Sequence, residues 1–161
     1  ENQFEKQTIV VTQPSYLLTP TSKKKIGIPN EKILSTVPPS AADKMLVAIA
    51  PFVPQNANHY LCYDVEPYDI GKSVSLKDQF QNRQFEVIRA RYLCNPTEKT
   101  HNGKVNKIID EKNHLMCYEV IPHNPVNRKV VTNDQFGIRS LKTVRTEEIC
   151  LPTVKTLLPK D

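Results

Sequence analysis

The stretch 59-HYLCYDVEP-67 decides the fold, because it returns as 114-HLMCYEVIP-122. In the first copy Leu61, Tyr63 and Val65 alternate with Tyr60, Cys62 and Asp64, the period of two expected of a strand. Each copy opens a longer match. After the first come Asp78-Gln79-Phe80 and then Leu93-Cys94-Asn95-Pro96-Thr97-Glu98-Lys99. After the second come Asp134-Gln135-Phe136 and then Ile149-Cys150-Leu151-Pro152-Thr153-Val154-Lys155. From Phe to Pro the gap is sixteen residues both times, with no insertion. The chain therefore carries two tandem repeats, and self-similarity of this kind outranks other signals of architecture.

Toward the N-terminus, residues 2–23 (NQFEKQTIVVTQPSYLLTPTSK) match only the back half of a repeat. Gln3-Phe4, Pro20-Thr21 and Lys23 keep the spacing, but the His-x-x-Cys-Tyr segment is missing and Leu18 stands where the repeats have Cys94 and Cys150. The organisation expected is a half repeat over 1–25, an insertion over 26–58, a first repeat over 59–99, and a junction with a second repeat over 100–161, all in one compact domain. Residues 8–12, 84–89 and 139–144 are rich in β-branched or aromatic side chains and bounded by turn formers, so they read as strands. Pro67-Tyr68-Asp69, Asn102-Gly103 and 122–125 read as turns. The fold class is mainly β, a sandwich or barrel built from internal repeats, with about four strands per whole repeat and two or three in the half repeat. In the insertion, Ser40 resembles an N-cap, 41–50 holds good helix formers and Pro51 stops them. A short helix is expected there, with an extended buried strand as the alternative.

Composition narrows the functional classes. At 161 residues, 39% hydrophobic and 24% charged, the chain can bury a core and is not disordered wholesale. Thirteen prolines against four glycines suggest short elements separated by rigid turns. The net charge of +5 favours solubility and permits contact with anionic polymers. Its one basic run is Lys23, Lys24 and Lys25; without an arginine-rich helix or interleaved aromatics, nucleic acid is not the expected partner. The longest apolar stretch, 45–53, is broken by Pro51 and too short to cross a bilayer, so no membrane span is expected. Glu1 followed directly by repeat sequence fits a mature end left by cleavage or an artificial boundary, and the residues do not separate the two.

Cys62, Cys94, Cys117 and Cys150 allow three pairings, and exchanging the two repeats maps each pairing onto itself. The half repeat discriminates. It lacks both cysteines of a repeat together, which is expected if those two bond to each other, since an orphan thiol would be a liability in an oxidising compartment. Cys62–Cys94 and Cys117–Cys150 are therefore the expected disulfides. A metal reading competes through His59-x-x-Cys62 and His114-x-x-Cys117, which twice bring an imidazole near a thiolate. Strand residues three apart point to opposite faces, however, and the ordinary reading of each histidine is a strand-start residue bonded to nearby backbone. No metal and no cofactor is expected.

Little else suggests chemistry. Nucleophile motifs and phosphate-cradling glycine loops are missing from the sequence. The acidic doublets Asp110-Glu111 and Glu147-Glu148 read as solvated faces, and His101 and His123 as turn residues with no evident partner. Asp-Gln-Phe is expected to anchor Phe80 and Phe136 in the core while its polar side chains bind turn backbone. Pro-Thr-x-Lys reads as a strand terminator, with the Thr bonding local backbone. An enzyme is not expected.

The strings His-x-x-Cys-Tyr, Asp-Gln-Phe and Leu-Cys-x-Pro-Thr-x-Lys together resemble an uncharacterised domain family of secreted or cell-surface prokaryotic proteins that carries them in tandem, and the likeness covers 59–155 closely. The resemblance implies export to the cell surface, periplasm or medium and a cysteine-bearing β-fold, but no activity. The half repeat and the insertion depart from it. The leading expectation is a non-enzymatic structural or interaction module. Its half repeat leaves strand edges that need a partner, through Phe4, Ile9, Val11, Leu17 and Leu18. That partner is either the rest of the chain or another subunit, the latter building a head-to-tail fibre or a larger complex. The alternatives are a metal-associated accessory subunit using His59, Cys62, His114 and Cys117, and a binder of acidic polymers.

Overall fold

The computed structural model describes residues 9–25, 44 and 56–158. Among them the chain forms β1 (Val11–Leu18), β2 (Ser22–Lys25), β3 (His59–Val65), β4 (Asp69–Lys77), β5 (Asn82–Thr97), β6 (Lys99–His101), β7 (Lys104–Asn106), β8 (His114–Ile121), β9 (Lys129–Asp134), β10 (Gly137–Lys142) and β11 (Glu148–Thr153). The fold is mainly β, as the repeats predict, and among the described residues its sheets stay open rather than closing into a barrel. The helix expected over 41–50 lies outside the described residues except for Lys44, which is helical. Two compact units result. One joins Asn58–Asn124 to the described residues of 9–18 and 146–158, and the other joins Pro125–Arg145 to those of Thr19–Ala57.

The first unit holds a six-stranded antiparallel sheet in the order β1-β3-β5-β8-β11, with β4 also paired to β5. β3 and β8 are the front strands of the two repeats, and β1, β5 and β11 are the back strands. Each front strand lies between two back strands: its own, and that of the preceding repeat. The two inter-repeat seams have the same register. Tyr16 faces Cys62 and Leu18 faces Tyr60 across β1–β3; Tyr92 faces Cys117 and Cys94 faces Leu115 across β5–β8. The strand expected at 8–12 runs instead from Val11 to Leu18, because pairing with β3 extends through Leu18; Pro14 sits where the register shifts.

Both sheet faces carry buried residues, since successive side chains of a strand point to opposite faces. One carries Val65, Phe85, Val87, Ala90, Leu93, Met116, Tyr118, Val120 and Leu151, with Ile9 and Ile149 packed against them. The other carries Cys62, Cys94 and Cys117, flanked by Tyr16, Leu18, Tyr60, Tyr92, Leu115 and Cys150. The repeated strings hold the strand ends. Thr97 and Thr153 hydroxyls donate to the Asn95 and Leu151 carbonyls, and β5 and β11 stop at those threonines. Asp78 Oδ1 accepts from the Phe80 and Gln81 amides, and Asp134 Oδ1 from the Phe136 amide, so the acid of Asp-Gln-Phe binds turn backbone as expected. The phenylalanines do not follow the expectation: Phe136 is 53% exposed and Phe80 only half-buried. The carboxylate organises this turn, and the ring is left at its tip. Asn102 and Gly103, at φ 50° and 74°, turn the β6–β7 hairpin in the left-handed region. Asn58 fixes the junction that follows: its Nδ2 donates to the Asp110 carbonyl and its Oδ1 accepts from the Ile109 and Asp110 amides.

In the second unit the sheet order is β10-β9-β2, with Val130 and Val131 buried. The basic run 23–25 lies in β2, paired antiparallel with β9.

Candidate functional site

The cysteine face is the most differentiated surface of the first unit. Cys62 on β3 stands directly opposite Cys94 on β5, and Cys117 on β8 opposite Cys150 on β11. Both pairs are bonded, with S–S distances of 2.02 and 2.01 Å and Cα–Cα distances of 3.9 Å. These are the intra-repeat pairings inferred from the half repeat. The bridges are also neighbours, the unbonded sulfurs of Cys94 and Cys117 lying 3.8 Å apart. Four cysteines thus cross four adjacent strands in one row, and Leu18 on β1 packs against the same cluster in the place of a fifth.

One layer along sit Tyr16, Tyr92 and Glu148, each four residues before the proline of its Pro-Thr. The three equivalent positions converge. The rings of Tyr16 and Tyr92 meet edge-on at 4.6 Å between centroids, and the Tyr16 hydroxyl donates to Glu148 Oε1 at 3.1 Å. That last bond joins the first strand to the fifth. In a flat sheet those strands would be about 19 Å apart, four spacings of 4.7–4.9 Å, farther than a Tyr and a Glu can bridge. The sheet is therefore curled toward its cysteine face. Burial, then the Glu148 carboxylate, pushes the Tyr16 phenol far up, so it stays a donor. Burial also raises Glu148, with Glu147 adding to the effect and the Tyr16 hydrogen bond opposing it.

Beside this layer, Arg91, Tyr92, Glu119, His123, Glu147 and Glu148 line an open pocket of about 260 Å³. Glu119 accepts from Arg89 Nε at 2.9 Å and Arg91 Nη1 at 3.2 Å, and the Arg89 hydrogen bond, the larger cause, holds it below the usual carboxylate range. The same place in the earlier seam is taken by Gln13, whose Nε2 donates to Asp64. His123 lies between two carboxylates, 3.9 Å from Glu119 and 3.3 Å from Glu147, without hydrogen-bond geometry at Nδ1. This corrects the reading of His123 as partnerless; Glu147 and Glu148 are exposed, as a solvated face requires, and each also meets a partner, His123 and Tyr16. Curling brings these groups together. A position-by-position alignment of the repeats carries the signal, because it sets Arg91 against Glu147 and Tyr92 against Glu148.

The remaining candidates do not form a site. Phe4 lies outside the described residues. Ile9 and Leu18 pack inward on the two clusters, whereas Val11 and Leu17 are exposed. In the alternative metal set, Cys62 and Cys117 are held in disulfides, and among the described residues no three His, Cys, Asp or Glu converge as ligands. His59 Nε2 and His114 Nδ1 are buried without a hydrogen-bond partner. Burial lowers both imidazoles; Lys99 adds to this for His59 and Lys155 for His114, with Asp110 opposing the latter. No described helix is long and apolar enough to cross a membrane.

The row of bridges and the seam repeated across the sheet define a β-repeat protein stapled by cross-strand disulfides. The chain belongs to the family described as a repeat of unknown function (DUF7450), whose profile matches residues 1–152. Neither a curated protein nor a solved structure matches it.

Proposed function

We propose that the chain is an exported, non-enzymatic interaction module that joins its neighbours by continuing its sheet across open strand edges. The supporting observation is the repeated seam: β1 and β5 each accept the front strand of the following repeat in one register, and β11, their equivalent, pairs only with β8 among the described residues. An edge of unpaired backbone donors and acceptors is a template for another strand. The two bridges fit an oxidising compartment, where such a sheet would keep its shape outside the cell. The order also refines the fibre idea. Two copies cannot simply abut, because β11 and β1 are both back strands running the same way, and neither is the antiparallel front strand that the seam uses. Light scattering over a concentration series, with electron microscopy of native material, tests the proposal. Higher-order species or a stoichiometric partner are expected; a monomer throughout overturns it.

A further inference from the structure

We infer that the outer edge of β11 and the outer edge of β1 form one slot for a single front-type strand donated by a neighbouring molecule. Both front strands within the first unit are flanked by two back strands, β3 by β1 and β5, and β8 by β5 and β11. A front strand between β11 and β1 repeats that arrangement a third time. The curl of the sheet makes this possible, because the Tyr16–Glu148 hydrogen bond already draws the first and last strands together on the cysteine face. One inserted strand would pair with both edges and close a six-stranded ring around the cysteine row.

The register of that strand follows from the two seams. Tyr16 faces Cys62 and Tyr92 faces Cys117, so Glu148 faces the residue at the cysteine position of the incoming strand. Leu18 faces Tyr60 and Cys94 faces Leu115, so Cys150 faces the residue two places earlier. On the other side, Cys62 faces Cys94 and Cys117 faces Cys150, so the cysteine position falls opposite Leu18. Leucine cannot close a bridge. The fitting occupant therefore has the form His-x-x-apolar-Tyr-acid-Val, with an apolar side chain where β3 and β8 carry cysteine. Asp64 and Glu119, two places after the cysteine, are each met by a donor of the preceding back strand, Gln13 and Arg89, which is why an acid is specified there. Residues 43–51 of this chain, DKMLVAIAP, place Leu46 and Pro51 at the spacing of Cys117 and Pro122. Asp43, Val47 and Ala48 stand where that form has His, Tyr and the acid, however, so the slot is assigned to a strand from another molecule.

The inference rests on the assembly reading, and its test separates the two. A labelled peptide of residues 113–122 carrying Cys117→Leu is titrated into the full chain, with hydrogen exchange read on β1 and β11. Saturable binding is expected, together with slowed exchange at the outward amides of both strands. N-methylation of alternate peptide amides should weaken binding at least about tenfold, since main-chain pairing carries the affinity. The Leu18→Cys chain mixed with the unsubstituted peptide and oxidised glutathione, which takes the two electrons and leaves as two reduced thiols, should form a disulfide between the introduced thiol and the peptide cysteine. Failure of the peptide to bind overturns the slot, even where native material assembles. Protection of these edges in the peptide-free monomer also overturns it, and gives the slot to the chain's own segment. Peptide binding alongside a strictly monomeric native protein leaves the slot standing and removes the assembly reading.

Discussion

The back halves of the two repeats have equal length from Phe to Pro and yet fold differently. In the first, β5 runs unbroken from Asn82 to Thr97; in the second, the same span divides into β10 and β11, and β10 belongs to the other compact unit. One pivot is shared. The Ala90 amide donates to the Tyr68 carbonyl, and the equivalent Thr146 amide to the Asn124 carbonyl. Beyond the pivot the environments part. Phe85 and Val87 are buried on the stretch of β5 that β8 pairs alongside, with Val87 opposite Val120 and Glu86 opposite Ile121. Their counterparts Leu141 and Thr143 are 47% exposed and half-buried. A hairpin stays in the main sheet when the next repeat's front strand lies along it. Without that strand among the described residues, the second hairpin pairs with β2 instead. The edge of β11 thus accounts both for the divergence and for the proposed slot.

The disulfides offer the largest test of this comparison, because they are the most alike parts of the two repeats. Their sequence separations are 32 and 33, so removing either bridge as a Cys-to-Ser pair should cost about 3–4 kcal/mol in the chain-entropy model, equally for both. For a chain of this size that lowers the melting temperature by about 10 °C. Single substitutions break the symmetry. Cys62→Ser leaves the Cys94 thiolate 3.8 Å from Cys117, placed to attack it and release Cys150, the one cysteine that is not fully buried. Cys150→Ser instead leaves Cys117 to attack Cys94 and release Cys62, which is 0% exposed. Non-reducing peptide maps with alkylation should find a Cys94–Cys117 bridge in both, and a rapidly labelled thiol only in the first.

Next comes the packing difference itself. Phe85→Ala should cost about 3–5 kcal/mol as a core truncation, whereas Leu141→Ala should stay within about 0.5 kcal/mol as a surface change. Ala90→Thr, which gives the first repeat the residue of the second, inserts atoms at a site that is 0% exposed and should cost about 1–3 kcal/mol. Urea unfolding midpoints measure all three. Equal losses at Phe85 and Leu141 would remove the account of why the hairpins part.

What was legible in the sequence follows the same division. Strand period, repeat spacing and the co-loss of both cysteines from the half repeat are local or comparative features, and they led to a β-fold and to the pairing of Cys62 with Cys94 and Cys117 with Cys150. The layer of Tyr16, Tyr92 and Glu148 was not legible, because it forms only when the sheet curls and brings strands from the half repeat and both whole repeats together. Phe136 misled for a related reason. Identity with Phe80 implied a common burial in the core, but the Asp-Gln-Phe turn is held by its carboxylate, and the Phe136 ring is 53% exposed. Repetition of a residue reports shared local geometry; it reports shared packing only where the neighbouring strand is repeated too.

The smallest expected effect compares the paired histidines. His59 and His114 open the two front strands, and each has a buried ring nitrogen with no hydrogen-bond partner, so protonation would place charge beside an atom with nothing to accept its proton. Both are therefore lowered from the ordinary 6.5, first by burial and then by Lys99 or Lys155. With the folded value below the unfolded one, the unfolded chain binds the proton more readily. Each histidine's contribution is then fully present above pH about 6.5 and is lost as pH falls through the folded value. Glu119, also lowered, adds a second loss further down, in the carboxylate range. His59→Gln should flatten the decline in urea midpoint just below pH 6.5 more than His114→Gln does, because Asp110 already favours the charged form of His114. An unchanged slope in both variants would show that burial of these rings does not couple folding to protonation.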